Sequence, residues 1–389
     1  MPGLVMTPLR QQIHDSAKKI CDRFDDAYWL EKDLKHEWPV AYHAAAKEAG
    51  WLGITIPEEY GGAGLGVTEA ALLMQVVGGS AGAIAACSTI QAGVFGPHAV
   101  TVHGTEEQKR RILPRLATGQ DQACFGVTEP DAGLNTTAIT TRAVRKGDRY
   151  IVNGQKVWTS TAQVVNKIML LARTTPLEEC ARPTEGMTLF CTDFDRKAIQ
   201  VQEIEKLGRA AVDSNSIYIE GLEVPVEDRI GEEGQGFKVL LDSLNPERII
   251  IAAEVVGLGR RALAKATEYA KDRVVFGRQI GKNQSIQHPL AESWMELEAA
   301  DLMTWRAAEL YDSGKPCGAE ANAAKYLAAE ASFHACDRAV RTHGGFGYAK
   351  EFHVERYLRE TILPRIAPVS RELILCFIAE KVLGLPKSY

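Results

Sequence analysis

Glu247 and Arg248 stand behind Asn245 and Pro246 and directly ahead of an apolar run, residues 249–253. A carboxyl at the edge of such a run feels opposing influences. Burial raises its pKa, while the neighbouring guanidinium, or a helix restarted at Pro246, lowers it. Most helix glutamates are solvated, so the apolar run is what sets Glu247 apart. Upstream, Phe125 is followed by Thr128-Glu129-Pro130, and later by Trp158-Thr159-Ser160. Trp158 offers a flat apolar face and Thr128 and Ser160 offer hydroxyls. Taken singly, they read as a core tryptophan and strand-surface hydroxyls. Arg273 and Arg278 flank Phe276-Gly277, with Gln284 and Gln287 downstream. A planar guanidinium fork suits a diphosphate, and equally the carbonyl end of a helix. Arg341 precedes Gly344-Gly345, and paired glycines let backbone amides approach a phosphate or ribose. Gly257-Leu258-Gly259-Arg260-Arg261-Ala262 matches the loose dinucleotide fingerprint GxGxxA. That fingerprint needs a preceding strand, and here a helical pattern surrounds it. These glycines are therefore expected to serve close helix packing, and a nicotinamide dehydrogenase rests on them alone.

The elements that must position these groups change character twice. Residues 9–118 read as helices with short turns. Residues 44–49 form a helical run stopped at Gly50, and Thr105 opens another helix with Glu106, Glu107 and Gln108 behind it. Residues 72–94 are apolar and small, and are expected to form a buried helix pair. From about 124 to 231 the reading turns to strands: Asn153-Gly154 between Val152 and Val157 signals a hairpin, and residues 168–172 and 187–191 are apolar runs of strand length. From Gly236 the helical reading returns. Residues 249–269 are apolar nearly all round, and Leu290, Trp294, Leu297, Trp305 and Ala308 share one face of a later helix. The expected architecture is α+β and multidomain. It has an N-terminal all-α domain (1–122), a central antiparallel β-barrel or sandwich (123–233) and a C-terminal four-helix bundle (234–389).

The bulk properties narrow the function. A net charge of −5 offers no basic field for nucleic acid. The eight cysteines are scattered, with no CxxC spacing and no nearby His pair, which argues against structural zinc or a disulfide framework and for reduced thiols in a cytoplasm. Residues 1–19 carry neither a secretory nor a transit pattern, and the longest apolar stretch is broken by polar residues, so no membrane span is expected.

Taken together, the stretches around Thr128-Glu129-Pro130-Asp131-Ala132-Gly133, Trp158-Thr159-Ser160, Arg273-Val274-Val275-Phe276-Gly277 and Gly344-Gly345-Phe346-Gly347-Tyr348 resemble the acyl-CoA dehydrogenase family. They fall in that family's order over nearly the whole chain, beginning at residues 53–62. The resemblance implies noncovalent FAD, with Phe125, Thr128, Trp158 and Ser160 around the flavin of one subunit. Arg273, Phe276, Gln284, Arg341, Gly344, Gly345 and Ser370 are then the remaining cofactor contacts, several of them reaching the FAD of a neighbour. It further implies an acyl-CoA substrate, a homotetramer, and electrons passed to electron-transferring flavoprotein.

Two departures matter. Many members carry the catalytic glutamate near the C-terminus, where this chain has Ala367-Pro368-Val369-Ser370. The isovaleryl-CoA and long-chain members place it in a Glu-Arg pair, which Glu247-Arg248 matches. Glu247 is thus the expected base, Arg248 a substrate contact, and Glu254 and Glu372 weaker candidates. Pro368 has no N–H, so Ala367 is the amide donor to the thioester carbonyl if the register shifts by one residue. Leu134 stands where a serine hydroxyl usually lies near the CoA entrance. The expected reaction is α,β-dehydrogenation to the trans-2-enoyl-CoA. The alternatives are an acyl-CoA oxidase using O2 and a non-catalytic flavoprotein of the same fold.

Overall fold

The computed structural model describes residues 3–388; the outermost ends of the first and last expected domains, residues 1, 2 and 389, lie outside them. The first section is helical: α1 (Pro8–Cys21), α2 (Asp26–Lys35), α3 (Val40–Glu48), α4 (Val67–Gly78), α5 (Ala83–Phe95), α6 (His98–His103) and α7 (Glu106–Ala117). Thr105 caps α7 in a reciprocal box with Gln108. Helices α4 and α5 are the buried pair expected from residues 72–94. Such apolar, Ala- and Gly-rich helices make sense only inside a core.

The middle section contains β1 (Ala123–Gly126), β2 (Arg142–Lys146), β3 (Arg149–Ser160), β4 (Lys167–Arg173), β5 (Met187–Asp193), β6 (Ile199–Glu203), β7 (Ser214–Pro225) and β8 (Arg229–Ile230). They form one sheet in the order β6-β7-β3-β2-β4-β5-β8, with β1 parallel to β4. The remaining pairings are antiparallel except at the single Arg142–Arg173 contact of β2 with β4. The Asn153-Gly154 hairpin does not form. The β2–β3 turn falls at Gly147, with φ 63°, and β3 runs on through Asn153 and Gly154. Asn153 instead accepts the Gly221 N–H at 2.8 Å. Gly154 lies where an added Cβ would be 2.4 Å from Thr141 Oγ1, so its missing side chain admits the neighbouring strand.

The last section holds three long helices, α8 (Gly236–Asp272), α9 (Gln284–Asp312) and α10 (Gly318–His343). A two-residue hairpin pair, β9 (Val274–Val275) and β10 (Arg278–Gln279), separates the first two. Shorter helices α11 (Val354–Thr361), α12 (Leu363–Ile366) and α13 (Arg371–Phe377) follow. Helix α8 continues through Pro246 rather than restarting there. Its glycines do what the surrounding pattern implied: a Cβ at Gly257 would lie 2.2 Å from Gln75 O on α4, and one at Gly259 would lie 2.5 Å from Leu297 Cδ2 on α9. Trp294 departs from the expected α9 face, being largely exposed while Leu297, Trp305 and Ala308 are buried. One apolar core runs through α4, α5, α8, α9 and α10, so the first and last helical sections share it. The two faces of the sheet carry separate cores, one of them shared with α6 and α7.

Candidate active site

Glu129 and Lys156 anchor the segment that precedes β2 to strand β3. The Lys156 ammonium is fully buried and donates to Glu129 Oε1 at 2.9 Å and to Val127 O at 3.0 Å. The Thr141 N–H also reaches Glu129 Oε1, while the N–H and hydroxyl of Thr140 reach Oε2. Burial works against the charge on Glu129, but Lys156 and the threonine donors outweigh it and hold its pKa down at about 2. Burial lowers Lys156 to about 8 against the pull of Glu129. The Val157 N–H then meets Thr128 O at 2.9 Å, fixing Thr128 against the strand.

Immediately beyond, a bulge in the β3–β7 ladder between Lys156 and Thr159 turns Trp158 outward. Its φ of 60° is unusual for a bulky residue, and 59 % of it is exposed. A strained position presenting an aromatic face fits a platform for a flat ligand. Ser160 pairs with Ser214 across the ladder. Among the described residues, neither the Thr128 nor the Ser160 hydroxyl has a protein partner. Phe125 stacks on Phe95 of α5 with ring centroids 5.5 Å apart. Arg209, also at positive φ, is buried beside this strand. Among the described residues, its guanidinium hydrogen-bonds only the hydroxyls of Ser88 (2.8 Å) and Ser214 (3.3 Å). These free donors and the exposed ring fit a flavin, with its apolar benzenoid side and hydrogen-bonding edge.

Glu247 lies on α8 with no hydrogen-bond or ion-pair partner among the described residues. Burial pushes its pKa up to about 7, against the opposing charges of Arg248 and Lys325. Arg248 donates to Asn245 Oδ1 at 3.0 Å, and its Nε has no partner. Glu254 is sealed inside: Oε1 is buried and unpartnered, and burial, with Glu247 adding to it, holds the group well above the ordinary carboxyl range. Glu372 is exposed, 3.5 Å from Arg371. Of these three glutamates, Glu247 alone combines a raised pKa with an unengaged, half-buried side chain. Near the C-terminus, the Ala367 N–H is engaged by Leu363 O at 2.9 Å.

A separate cavity of about 740 Å³ opens where α8 and α10 end, lined by Arg273, Asn283, His343, Gly344, Gly345 and Phe346 among others. The Arg273 guanidinium lies 5.6 Å from the Phe346 ring centroid. Gly344 has φ 62°, with nothing near where a Cβ would stand. Amides and a guanidinium around such a space suit phosphates. Phe276, at the turn between β9 and β10, is fully exposed, and Gln284 begins α9 close by. Arg341 does not line this cavity but faces Asp337 at 3.5 Å. The Ser370 hydroxyl caps α13 by accepting the Leu373 N–H. Leu134 is exposed on the loop after β1. Among the described residues there is no helix long and apolar enough to cross a membrane, and no cluster of His, Cys, Asp or Glu able to hold a metal.

Lys156, Arg209 and Lys325 were not foreseen. For Lys325 a signal existed: it interrupts the small-residue face of α10 formed by Ala321, Ala328 and Ser332 at helical spacing. The partners of Lys156 and the Ser88 partner of Arg209 come from segments that periodicity does not link.

Comparison with known proteins agrees along the length of the chain. Residues 7–120, 124–222 and 234–383 match the profiles of the acyl-CoA dehydrogenase N-terminal, middle and C-terminal domains. The chain is 38% identical to acyl-CoA dehydrogenase FadE12 of Mycobacterium tuberculosis, over 98% of this chain and 97% of that protein. The solved butyryl-CoA dehydrogenase from Megasphaera elsdenii superposes with a TM-score of 0.92 at 28% identity, covering 98% of this chain and 99% of the other. An FAD complex of a protein called PigA gives a TM-score of 0.92 at 25% identity over the same shares.

Proposed function

Since the chain belongs to the acyl-CoA dehydrogenase family, an FAD-dependent family of oxidoreductases, we propose that Glu247 is the base with which it dehydrogenates an acyl-CoA thioester between the α and β carbons. The unengaged Glu247 carboxyl, held at a pKa of about 7 by burial, carries this reading. A thioester α C–H is far less acidic than a carboxylic acid, so its removal needs a base that is close, dry and ready to accept. The conjugate acid of Glu247 is weaker than an ordinary carboxylic acid, which narrows that gap. Arg248 and Lys325 favour the ionised carboxylate and offset part of the effect of burial.

FAD, when bound, accepts the β hydrogen as hydride. Phe125, Thr128, Trp158 and Ser160 would hold its ring system. Trp158 covers one apolar face, and the two hydroxyls are free to meet the polar edge. Arg273, Gly344 and Gly345 would hold the phosphate end of an FAD that belongs to a second subunit. Phe276 and Gln284 flank that position, so the shared site needs at least two copies of the chain, in keeping with the homotetramer that the family resemblance implies. The α-proton ends on Glu247 and the product is the trans-2-enoyl thioester.

A narrow crevice, lined by Ser88, Thr89, Gly96 and Met169 among others, opens where α5 meets β1. Anaerobic addition of acyl-CoAs of graded length and branching to the FAD-loaded protein tests the reading. A subset should bleach the flavin absorbance. Failure of every acyl-CoA, with FAD bound, would favour a non-catalytic flavoprotein.

A further inference from the structure

We infer that the Arg209 guanidinium is a fixed positive charge serving the flavin edge that Ser160 meets, favouring the ring system once it has taken up hydride. The inference rests on the reading in which Ser160 contacts FAD. Hydride brings one hydrogen and two electrons, so a neutral ring system that takes it up gains one negative charge. A cation held nearby stabilises that state over the starting one.

Arg209 is buried on the segment before β7, at φ 56°. Its guanidinium reaches Ser88 of α5 at 2.8 Å and Ser214, the first residue of β7, at 3.3 Å. Ser214 stands opposite Ser160 in the ladder, and directly opposed residues carry their side chains on one face, with Cβ atoms about 4.5–5.5 Å apart. The guanidinium is therefore one side chain away from the unpartnered Ser160 hydroxyl. The backbone at this end of the ladder is unusual as well. Trp158, Thr161 and Arg209 are three of the seven non-glycine residues at positive φ among those described, and the Thr161 N–H meets Asp213 O at 3.3 Å. Strain of this kind gathers where a ligand is held.

The charge of Arg209 has no partner. Among the described residues no carboxylate forms an ion pair with it, and burial opposes the charge. The three carboxyl groups that face it are otherwise engaged or uncharged. Glu360 of α11 accepts from Arg356 at 3.2 Å and from the Ala85 N–H at 3.2 Å. Asp213 accepts from the Gln163 N–H at 3.2 Å and from the Asn215 amide at 2.5 Å. Burial keeps Glu254 of α8 protonated. Lys206 is a second cation close by. Buried charges are ordinarily paired, so this corner of the site is one anion short, and the flavin supplies it when hydride arrives.

The test is the equilibrium midpoint potential of the bound FAD, measured against dyes of known potential without substrate. Arg209→Met removes the charge and keeps an extended side chain, while Arg209→Lys keeps the charge. In Arg209→Met the equilibrium should shift toward oxidised flavin by about tenfold or more, about 30 mV for a two-electron couple. Arg209→Lys should stay within about threefold of wild type. A wild-type midpoint in flavin-loaded Arg209→Met overturns the inference, as does an equal shift in Arg209→Lys. If Arg209→Met does not fold or loses FAD, Ser88→Asp sets a carboxylate against the guanidinium and cancels its charge. Ser88→Asp should then lower the midpoint, with Ser88→Asn unchanged. A wild-type midpoint in Ser88→Asp, or equal shifts in both, overturns the inference. No substrate is present, so these readings are independent of Glu247 as base. A wild-type protein that takes up no FAD would overturn the flavin reading first, and this inference with it.

Discussion

Lys156 and Glu129 form an ion pair almost sealed from solvent, Nζ to Oε1 at 2.9 Å, and it ties the Thr128 segment to the strand that presents Trp158. Removing one partner leaves the other charge buried and uncompensated. Lys156→Met should therefore cost about 3–5 kcal/mol and release FAD, measured by thermal melting and by flavin content after purification. The acid response follows from Glu129. Its folded pKa is depressed from 4.5 to about 2, so the stabilisation is complete above about 4.5 and is lost as pH falls toward 2. Glu129→Gln should flatten that part of the acid-unfolding curve. An unchanged curve would mean that the pair contributes nothing to stability.

The contact of α8 with α4 has no room for a side chain at Gly257. Gly257→Val should force the helices apart and destabilise the protein by about 1–3 kcal/mol or more, lowering the denaturation midpoint. Wild-type stability would mean that the helices separate freely there.

That contact also shows what the sequence made legible. Two glycines inside a long apolar helical pattern have few uses besides close packing, and periodicity set the helix itself. The Asn153-Gly154 signal misled because it is local, and the structure decides the matter with distant groups. Gly221 satisfies Asn153 and Thr141 crowds Gly154, so the chain passes straight through and turns at Gly147. Trp294 sits at the right helical spacing for burial yet is exposed, because spacing alone does not say how far a neighbouring helix extends. Glu247 was reachable because an apolar run follows it. Lys325 was not, because its partner Val369 O belongs to a segment that α10 meets only in the fold.

Arg273 lines the cavity expected to take the phosphate end of a neighbour's FAD. Loss of a charge-assisted hydrogen bond of about 1.5–3 kcal/mol should weaken FAD affinity roughly 10–100-fold in Arg273→Ala. Fluorescence titration of the apoprotein with FAD measures it. Wild-type affinity, or a monomer in sizing experiments that keeps full flavin, would remove the shared-site account.

The fate of the electrons separates a dehydrogenase from an oxidase. Protein reduced anaerobically with substrate should reoxidise quickly with electron-transferring flavoprotein and slowly with dissolved O2. Stoichiometric hydrogen peroxide formed at the rate of turnover would assign an oxidase instead.

The raised pKa of Glu247 acts in opposite directions on stability and on rate as pH rises. A carboxyl with a folded pKa of about 7 against 4.5 unfolded destabilises the folded state as pH rises through that window. Glu247→Gln should therefore gain roughly 1–3 kcal/mol above neutrality, seen in melting at pH 8, and nothing near pH 4. The base must be ionised to act, so wild-type flavin reduction should accelerate as pH rises through about 7. The most direct measurement is anaerobic stopped-flow reduction of the bound flavin by an active acyl-CoA, in wild type and Glu247→Gln. The variant should bind FAD and acyl-CoA normally and reduce its flavin about 10²–10⁴-fold more slowly; reduction at the wild-type rate would contradict the assignment of Glu247 as the base.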